Sequence, residues 1–148
     1  MNIQNISAFF VRDLDKLKTE IESYKDERNL WRIDKGISNS AGNLCLHLIG
    51  NLNTYVGLGL GKIEYVRDRD LEFSSKNISK TELLSKIEAT KKVVQASLLQ
   101  LQASDLEKEF PMHVSDKPTT TEYYLIHLTS HLAYHLGQIN YHRRLLEE

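Results

Sequence analysis

The hydrophobic positions of this chain recur at helical spacing in four stretches separated by breaks. In the first stretch, roughly residues 2 to 27, apolar side chains alternate steps of three and four residues, which places them on one face of a helix. These side chains are Ile3, Ile6, Phe10, Leu14, Leu17, Ile21 and Tyr24. No β-type alternation of useful length appears along the chain. The pattern therefore predicts an all-helical protein.

The second stretch begins near residues 38 to 40 and runs to about Gly61. Its apolar side chains spread around most of the helix circumference, unlike those of the other stretches. A helix that is apolar all round is usually buried on several sides. We therefore expect either a central position for this helix or an outer face used for self-association. Three alternating glycines, Gly57, Gly59 and Gly61, are expected to fray or terminate its end.

Capping signals mark the last two helices. Ser79 and Glu82 have the spacing of a capping box, and Thr119 and Glu122 repeat it before a run that extends to about Leu146. Residues 61 to 78, which are rich in charges, are expected to form a long connection. Because each apolar stripe needs partners to bury it, four long helices predict a four-helix bundle, with residues 1–148 forming one domain.

Composition and charge limit the classes of partner and the cellular compartment that we expect. The apolar fraction of 41% and charged fraction of 26% are ordinary for a globular protein. A net charge of −1 gives no electrostatic basis for a nucleic-acid or membrane partner. Cys45 is the single cysteine, so no internal disulfide is possible. With no signal-peptide or membrane-span pattern, we expect a cytoplasmic protein.

Three histidines in the last helix are candidate metal ligands. His127, His131 and His135 follow one another at i, i+4 steps, so their side chains lie one turn apart on one face. Imidazoles at this spacing can share one metal ion. At about 100° per residue, His135 and His131 lie nearest the leucine-rich core face and His127 lies furthest from it. The pattern favours His131 and His135 as a pair, with His47 as the candidate third ligand.

Several more specific kinds of metal or catalytic site do not fit the sequence. The second histidine pair lacks the Glu that follows the first His of the HExxH metalloproteases. No Glu-x-x-His occurs, which argues against a carboxylate-bridged di-iron site. Cys45 lies two residues from His47 and is expected on a different side of the helix. His142, beside two arginines at the helix C-terminus, is interpreted as a cation that complements the helix dipole.

Two segments together resemble the DinB-like superfamily of small helical proteins. These are His131-x-x-x-His135-x-Gly137-Gln138 on the last helix and the segment from Gly42 through His47 to Asn51 on the second. The resemblance implies an up-down-down-up four-helix bundle, frequently a homodimer, in which His47, His131 and His135 bind one divalent metal ion. Superfamily members often carry Arg directly after the last His, where this chain has Leu136.

Three imidazoles leave Zn²⁺ or Ni²⁺ with its full charge and an open position. Other side chains must orient the ligands. Gln138, one turn after His135, is the first candidate, followed by Asn51 and His127. The run from Arg67 to Phe73 also looks like a hallmark of a subgroup, without an assignable role.

Three function classes remain open at this point. Some members of the superfamily use low-molecular-weight thiols, which implies an S-transferase acting on small electrophiles. Its acidic thiol would need cationic groups, for which the candidates are Arg67, Arg69, Arg143 and Arg144. A metal-dependent hydrolase would need a base, and neither ligand helix offers an obvious carboxylate. A non-catalytic, dimeric metal-binding or stress-associated protein would be favoured by a fourth ligand, either His127 or His142.

Overall fold

The computed structural model describes residues 2–147, and the regular structure within that range is helical. Its α-helices are α1 (Ile3–Glu22), α2 (Ala41–Leu52), α3 (Arg69–Ser74), α4 (Lys80–Leu99) and α5 (Thr121–Leu146). Short 3₁₀ helices cover Glu27–Trp31 and Ala103–Glu107, and a π-helical segment, Asn53–Leu60, continues α2. No strand occurs within residues 2–147, where the β pairing is an isolated bridge between Glu109 and Thr120. The prediction of an all-α protein is confirmed.

The four long helices pack around one apolar core. α1 lies against both α4 and α5, and α2 also contacts both of them. The core side chains come from the predicted stripes, including Phe10 of α1, Leu48 of α2, Ile87 of α4 and Leu128 of α5. Among residues 2–147, no helix combines the length and apolar character that crossing a membrane requires.

Helix α2 occupies the central position that was one of its two expected placements. Eleven of its twelve residues are buried, because α4, α5 and the short α3 all pack against it. Its apolar circumference is therefore covered by the same chain. The apolar surface of α2 is therefore not available for self-association. The prediction of a homodimer now rests only on the resemblance to the DinB-like superfamily.

The glycines after α2 do not fray the helix. The helical path continues as the π-helical segment to Leu60, which packs closely on α4. A Cβ at Gly57 would lie 2.7 Å from Val93 Cγ1, and one at Gly61 would lie 2.1 Å from Ser97 Oγ. Close packing of α4 side chains is the reason for Gly57 and Gly61, and Gly61 also ends the helical path as its C-cap, as predicted.

Two predicted boundaries were wrong for reasons of tertiary structure. Helix α1 ends at Glu22 rather than near residue 27, because the amides of Lys25 and Asp26 donate to the Glu147 carboxylate at the end of α5. The N-cap of α5 is Thr120 rather than Thr119. The Thr119 carbonyl accepts from the Phe110 amide, which holds Thr119 in extended backbone. By contrast Ser79 caps α4 as predicted, accepting from the Glu82 amide.

The connection between α2 and α4 is not a plain loop. Asp68 caps α3 by accepting a hydrogen bond from the Leu71 amide, so residues Arg69–Ser74 form a helical turn and a half. The Asn43 side-chain amide donates to the carbonyls of Glu72 and Ser75, which fixes α3 on the start of α2. This docking brings the Glu72 side chain to the middle of α2, beside His47.

Candidate metal centre

Helices α2 and α5 bring the three predicted histidines together. His47 is buried on α2, and His131 and His135 are half-buried on the face of α5 that meets it. The two α5 residues are one turn apart, so their side chains extend from the same face toward α2. Within residues 2–147, these three are the group of His, Cys, Asp or Glu side chains whose ligand atoms lie close enough to hold a metal ion.

The Nε2 atoms of the three rings converge on one point. His47 Nε2 lies 3.2 Å from His131 Nε2, and His131 Nε2 lies 3.1 Å from His135 Nε2. With metal–nitrogen bonds of about 2.0–2.1 Å, two nitrogens of a regular tetrahedron are about 3.3 Å apart. The spacing of the ring nitrogens therefore fits one small divalent ion.

The opposite nitrogens of two rings are held by acceptors. His47 Nδ1 donates to Glu72 Oε1 at 3.1 Å, and His135 Nδ1 donates to Gln138 Oε1 at 2.6 Å. Because a carboxylate and an amide oxygen only accept, they select the tautomer with hydrogen on Nδ1. The lone pairs of both Nε2 atoms then face inward, as a metal ligand requires.

The carboxylate that orients His47 is itself fixed by an arginine. Arg67 Nε donates to Glu72 Oε2 at 2.8 Å and Arg67 Nη2 to Glu72 Oε1 at 2.9 Å, a bidentate pair. The Phe73 ring covers the other side of His47, with centroids 5.1 Å apart. Gly50 leaves the room for this carboxylate, since a Cβ there would lie 1.9 Å from Glu72 Oε2.

Sequence reasoning missed Glu72 and noticed only the run that contains it. The run from Arg67 to Phe73 looks like a hallmark without a role, and Glu72 lies in neither ligand helix. The available signal was Asp68, a helix N-cap residue followed by acidic residues in the next turn. It would have placed a helix in the connection, although not its docking against α2.

Burial favours the neutral form of two histidines of the cluster, His47 and His131. Desolvation lowers the pKa of His47, and the neighbouring Glu72 opposes this only in part. Desolvation together with the nearby His135 and His47 rings lowers the pKa of His131 to about 4. Because protons compete with metal ions for imidazole nitrogens, a lowered pKa leaves the lone pairs available at neutral pH.

The remaining candidate side chains lie outside the cluster. His127 is exposed, and its ring stacks on Tyr124 and, at a centroid distance of 6.3 Å, on His131. Asn51 is buried, and its Oδ1 has no hydrogen-bond partner, as is also true of His131 Nδ1. Cys45 is buried in the core, where desolvation raises its thiol pKa to about 12. Neither His127 nor Cys45 contributes an atom to the cluster.

His142 has a structural role instead of the expected one. It is buried rather than solvated, and its Nδ1 accepts from the Tyr24 hydroxyl at 2.6 Å while its Nε2 donates to the Arg32 carbonyl at 2.8 Å. Desolvation lowers its pKa, so it is neutral and not a cation at the helix end. Since both ring nitrogens are engaged, His142 does not supply a fourth ligand.

Fold and site together define an all-helical protein with a three-histidine cluster that can hold a metal ion. The chain belongs to the family described as proteins of unknown function, DUF1572, which matches residues 3–148. Among solved structures, a conserved protein from Enterococcus faecalis is similar over 96% of this chain and 95% of its own, with a TM-score of 0.73 and 16% sequence identity. That likeness shows the fold alone. A comparison with curated proteins finds no match.

Proposed function

We propose that this protein is a DinB-like, metal-dependent S-transferase that holds one divalent ion, Zn²⁺ or Ni²⁺, with His47, His131 and His135. The proposal treats residues 1–148 as one domain with the up-down-down-up four-helix bundle of that superfamily. The observation that carries the metal site is the convergence of three Nε2 atoms, two of which belong to rings held by acceptors at Nδ1. Nitrogen donors of this type suit both ions.

The donor set favours an open site over a closed one. His142 is bonded to Tyr24 and Arg32, and His127 lies outside the cluster. Three neutral imidazoles leave a divalent ion with its full charge and an open position, which can bind a thiol and stabilise it as the thiolate. Such a site supports chemistry rather than a purely structural role.

The surroundings of the cluster favour thiol transfer over hydrolysis. A hydrolase needs a base beside the reacting water, and the carboxylate nearest the cluster is Glu72. Both of its oxygens accept hydrogen bonds from Arg67, and one also accepts from His47. Since this carboxylate is occupied in holding His47, it is poorly suited to proton abstraction. A thiol loses its proton to solvent on binding to a metal and needs no such base.

The proposed reaction joins the thiol to a small electrophile. The thiolate sulfur attacks an electrophilic carbon, a carbon–sulfur bond forms, and the leaving group departs with the electrons of its own bond. The protein contributes orientation: Glu72 and Gln138 hold the imidazole rings, and the burial of His47 excludes water from behind the cluster.

Metal binding is tested first, by elemental analysis and by competition with a chromophoric chelator. We expect about one divalent ion per chain in the wild type, and loss of it in His47→Ala and in His131→Ala. His113→Ala, an exposed histidine outside the helices, is the matched control and should retain the ion. Retention in both cluster variants would refute the site.

Thiol chemistry is tested on the loaded protein. With Co²⁺ in place of the native ion, a low-molecular-weight thiol should produce a thiolate-to-metal absorption band, and a fluorogenic alkylating reagent should be conjugated faster than in the His131→Ala variant. A loaded protein that gives neither the band nor faster conjugation would overturn the S-transferase assignment while leaving the metal site in place.

A further inference from the structure

A cleft of about 550 Å³ is lined in part by the His135–Gln138 pair. Residues 34 to 39 form one wall, and the C-terminal half of α5 forms the other. Clefts of about 300–1,000 Å³ are typical binding sites for small organic molecules. A proposed metal ligand, His135, therefore lines this cleft, and the cleft volume suits a small substrate.

The walls of the cleft expose apolar side chains of unusual size. Ile37, Tyr134, Tyr141 and Leu145 all line it, and their exposed fractions are 40%, 66%, 63% and 56%. Contiguous exposed apolar surface of this kind is generally a binding surface. Tyr134 and Tyr141 lie two turns apart on the α5 wall, where their rings can contact a flat or aliphatic body.

The cleft also carries one cation without a partner. Lys35 is the single Lys or Arg among the lining residues, and within residues 2–147 no carboxylate forms an ion pair with its ammonium group. The neighbouring acid, Asp34, is already paired with Arg32 at 3.3 Å. The Gln138 Oε1 is used by His135, which leaves the Gln138 amide nitrogen as a further donor.

The wall that bears Lys35 is held in place at both ends. Before it, the Arg32 carbonyl accepts from the buried His142. After it, the Ser40 side chain caps α2 by accepting from the Asn43 amide. Between these points Lys35 and Gly36 adopt positive φ angles of 52° and 77°, in a tight turn closed by a hydrogen bond from the Ile37 amide to the Asp34 carbonyl. The cleft is thus largely preformed, which reduces the entropy lost on binding.

The other expected cations do not line the cleft. Arg67 is paired with Glu72 behind His47, and Arg143 is paired with Glu20 at 2.9 Å. The Arg69 guanidinium lies over the Phe73 ring. The Arg144 guanidinium lies over the ring of Tyr141, which lines the cleft, although Arg144 itself does not. Because Lys35 is the one cation that lines the cleft, the cleft matches one negative charge rather than a polyanionic thiol cofactor.

We propose that this cleft binds the body of the thiol substrate, and that this substrate is a monocarboxylate with an apolar, preferably aromatic, body. Its carboxylate pairs with Lys35, its body lies against Tyr134 and Tyr141 on the α5 wall, and its sulfur reaches the histidine cluster past His135. This inference rests on the proposed function, which it extends by naming the class of thiol.

Three probes separate the contributions. These are para-(mercaptomethyl)benzoate, which has thiol, ring and carboxylate; phenylmethanethiol, which lacks the carboxylate; and para-toluate, which lacks the thiol. Binding to the Zn²⁺-loaded protein is measured by isothermal titration calorimetry, and weak binding by saturation-transfer NMR. We expect the complete probe to bind most tightly.

Variants assign the affinity to the cleft. Lys35→Gln should weaken binding of the two carboxylate probes by about fivefold, as expected for loss of an accessible ion pair. It should leave the affinity for phenylmethanethiol unchanged. Tyr141→Ala should weaken all three probes by up to about tenfold. Lys92→Gln, an exposed lysine on α4, is the control and should change nothing. The metal content of every variant should equal that of the wild type.

Two results would overturn the proposal. One is equal affinity of the wild type, Lys35→Gln and Lys92→Gln for the carboxylates. The other is failure of all three probes to bind to a protein that is dimeric and that Tyr141→Ala converts to a monomer. That result would mean that a second copy of the chain covers the apolar walls of the cleft. Para-toluate binding to the metal-free protein tests the cleft by itself, so failure of the metal site and failure of the cleft are distinguishable.

Discussion

Replacing Gly50 with alanine should weaken metal binding without touching a ligand. The added Cβ would lie 1.9 Å from Glu72 Oε2 and 2.6 Å from Glu72 Cδ, whereas ordinary contact begins at 3.4 Å. The carboxylate must therefore retreat by about 1.5 Å, the difference between the first and last of these distances. Arg67, bonded to both carboxylate oxygens, must move with it.

A displacement of that size removes the hydrogen bond to His47. Its donor–acceptor distance is 3.1 Å, and a further 1.5 Å or so would take it outside hydrogen-bonding range. Loss of a group that orients a metal-bound histidine costs about 10- to 100-fold in metal affinity, or about 1.4–2.7 kcal/mol. The substitution favours the helix itself by up to about 1 kcal/mol, while crowding in the core costs about 1–3 kcal/mol.

The assay is chelator competition on folded protein, with helicity checked by circular dichroism. Gly137→Ala is the matched control, because Gly137 also lies in a helix and a Cβ there meets nothing within 4 Å. It should keep the wild-type metal affinity. Wild-type affinity in a folded Gly50→Ala variant would refute the role of Glu72. If that variant fails to fold, Glu72→Gln replaces it: it retains an acceptor oxygen but loses the charge, and should also weaken metal binding.

Three further outcomes are expected. Gln138→Ala should lower metal affinity by up to about tenfold, because His135 loses its acceptor, and Gln138→Glu should restore it; chelator competition that finds no loss would contradict this role. Ser79→Ala should cost about 1 kcal/mol in urea unfolding by removing the α4 cap, with unchanged metal affinity; an unchanged unfolding midpoint would count against the cap. In the metal-free protein, His142→Gln should reduce the loss of stability on acidification. Since burial lowers the folded-state pKa of His142, the unfolded chain binds its proton first, and stability falls as the pH drops below about 6.5. An equally steep decline in the variant, followed by urea unfolding across that range, would contradict this assignment.

The sequence by itself determined the four long helices and the identity of the cluster. Helical periodicity depends on local spacing, so the apolar stripes of α1, α2, α4 and α5 were readable without a structure. The i, i+4 interval between His131 and His135 fixed their common face for the same reason. The cap at Ser79 was also predicted correctly, since its hydrogen bond to the Glu82 amide is local.

Tertiary structure decided what lies behind and beside the histidines. Glu72 reaches His47 only because Asn43 docks α3 on α2 and because Gly50 leaves space for the carboxylate. Contacts between residues 25 positions apart carry no periodic signal in one sequence. For the same reason His142 was wrongly predicted to be a cation at a helix end, although it is a neutral, buried residue bonded to Tyr24.

The cleft follows the same rule. Lys35 lies on a turn far along the chain from His135, and it lines the same cavity because α5 anchors the segment that carries it. Local spacing determines which face of a helix a side chain occupies, so helix faces could be predicted from the sequence. Which faces meet, and which side chain stands behind a ligand, depend on packing between distant segments, and only the folded chain decides them.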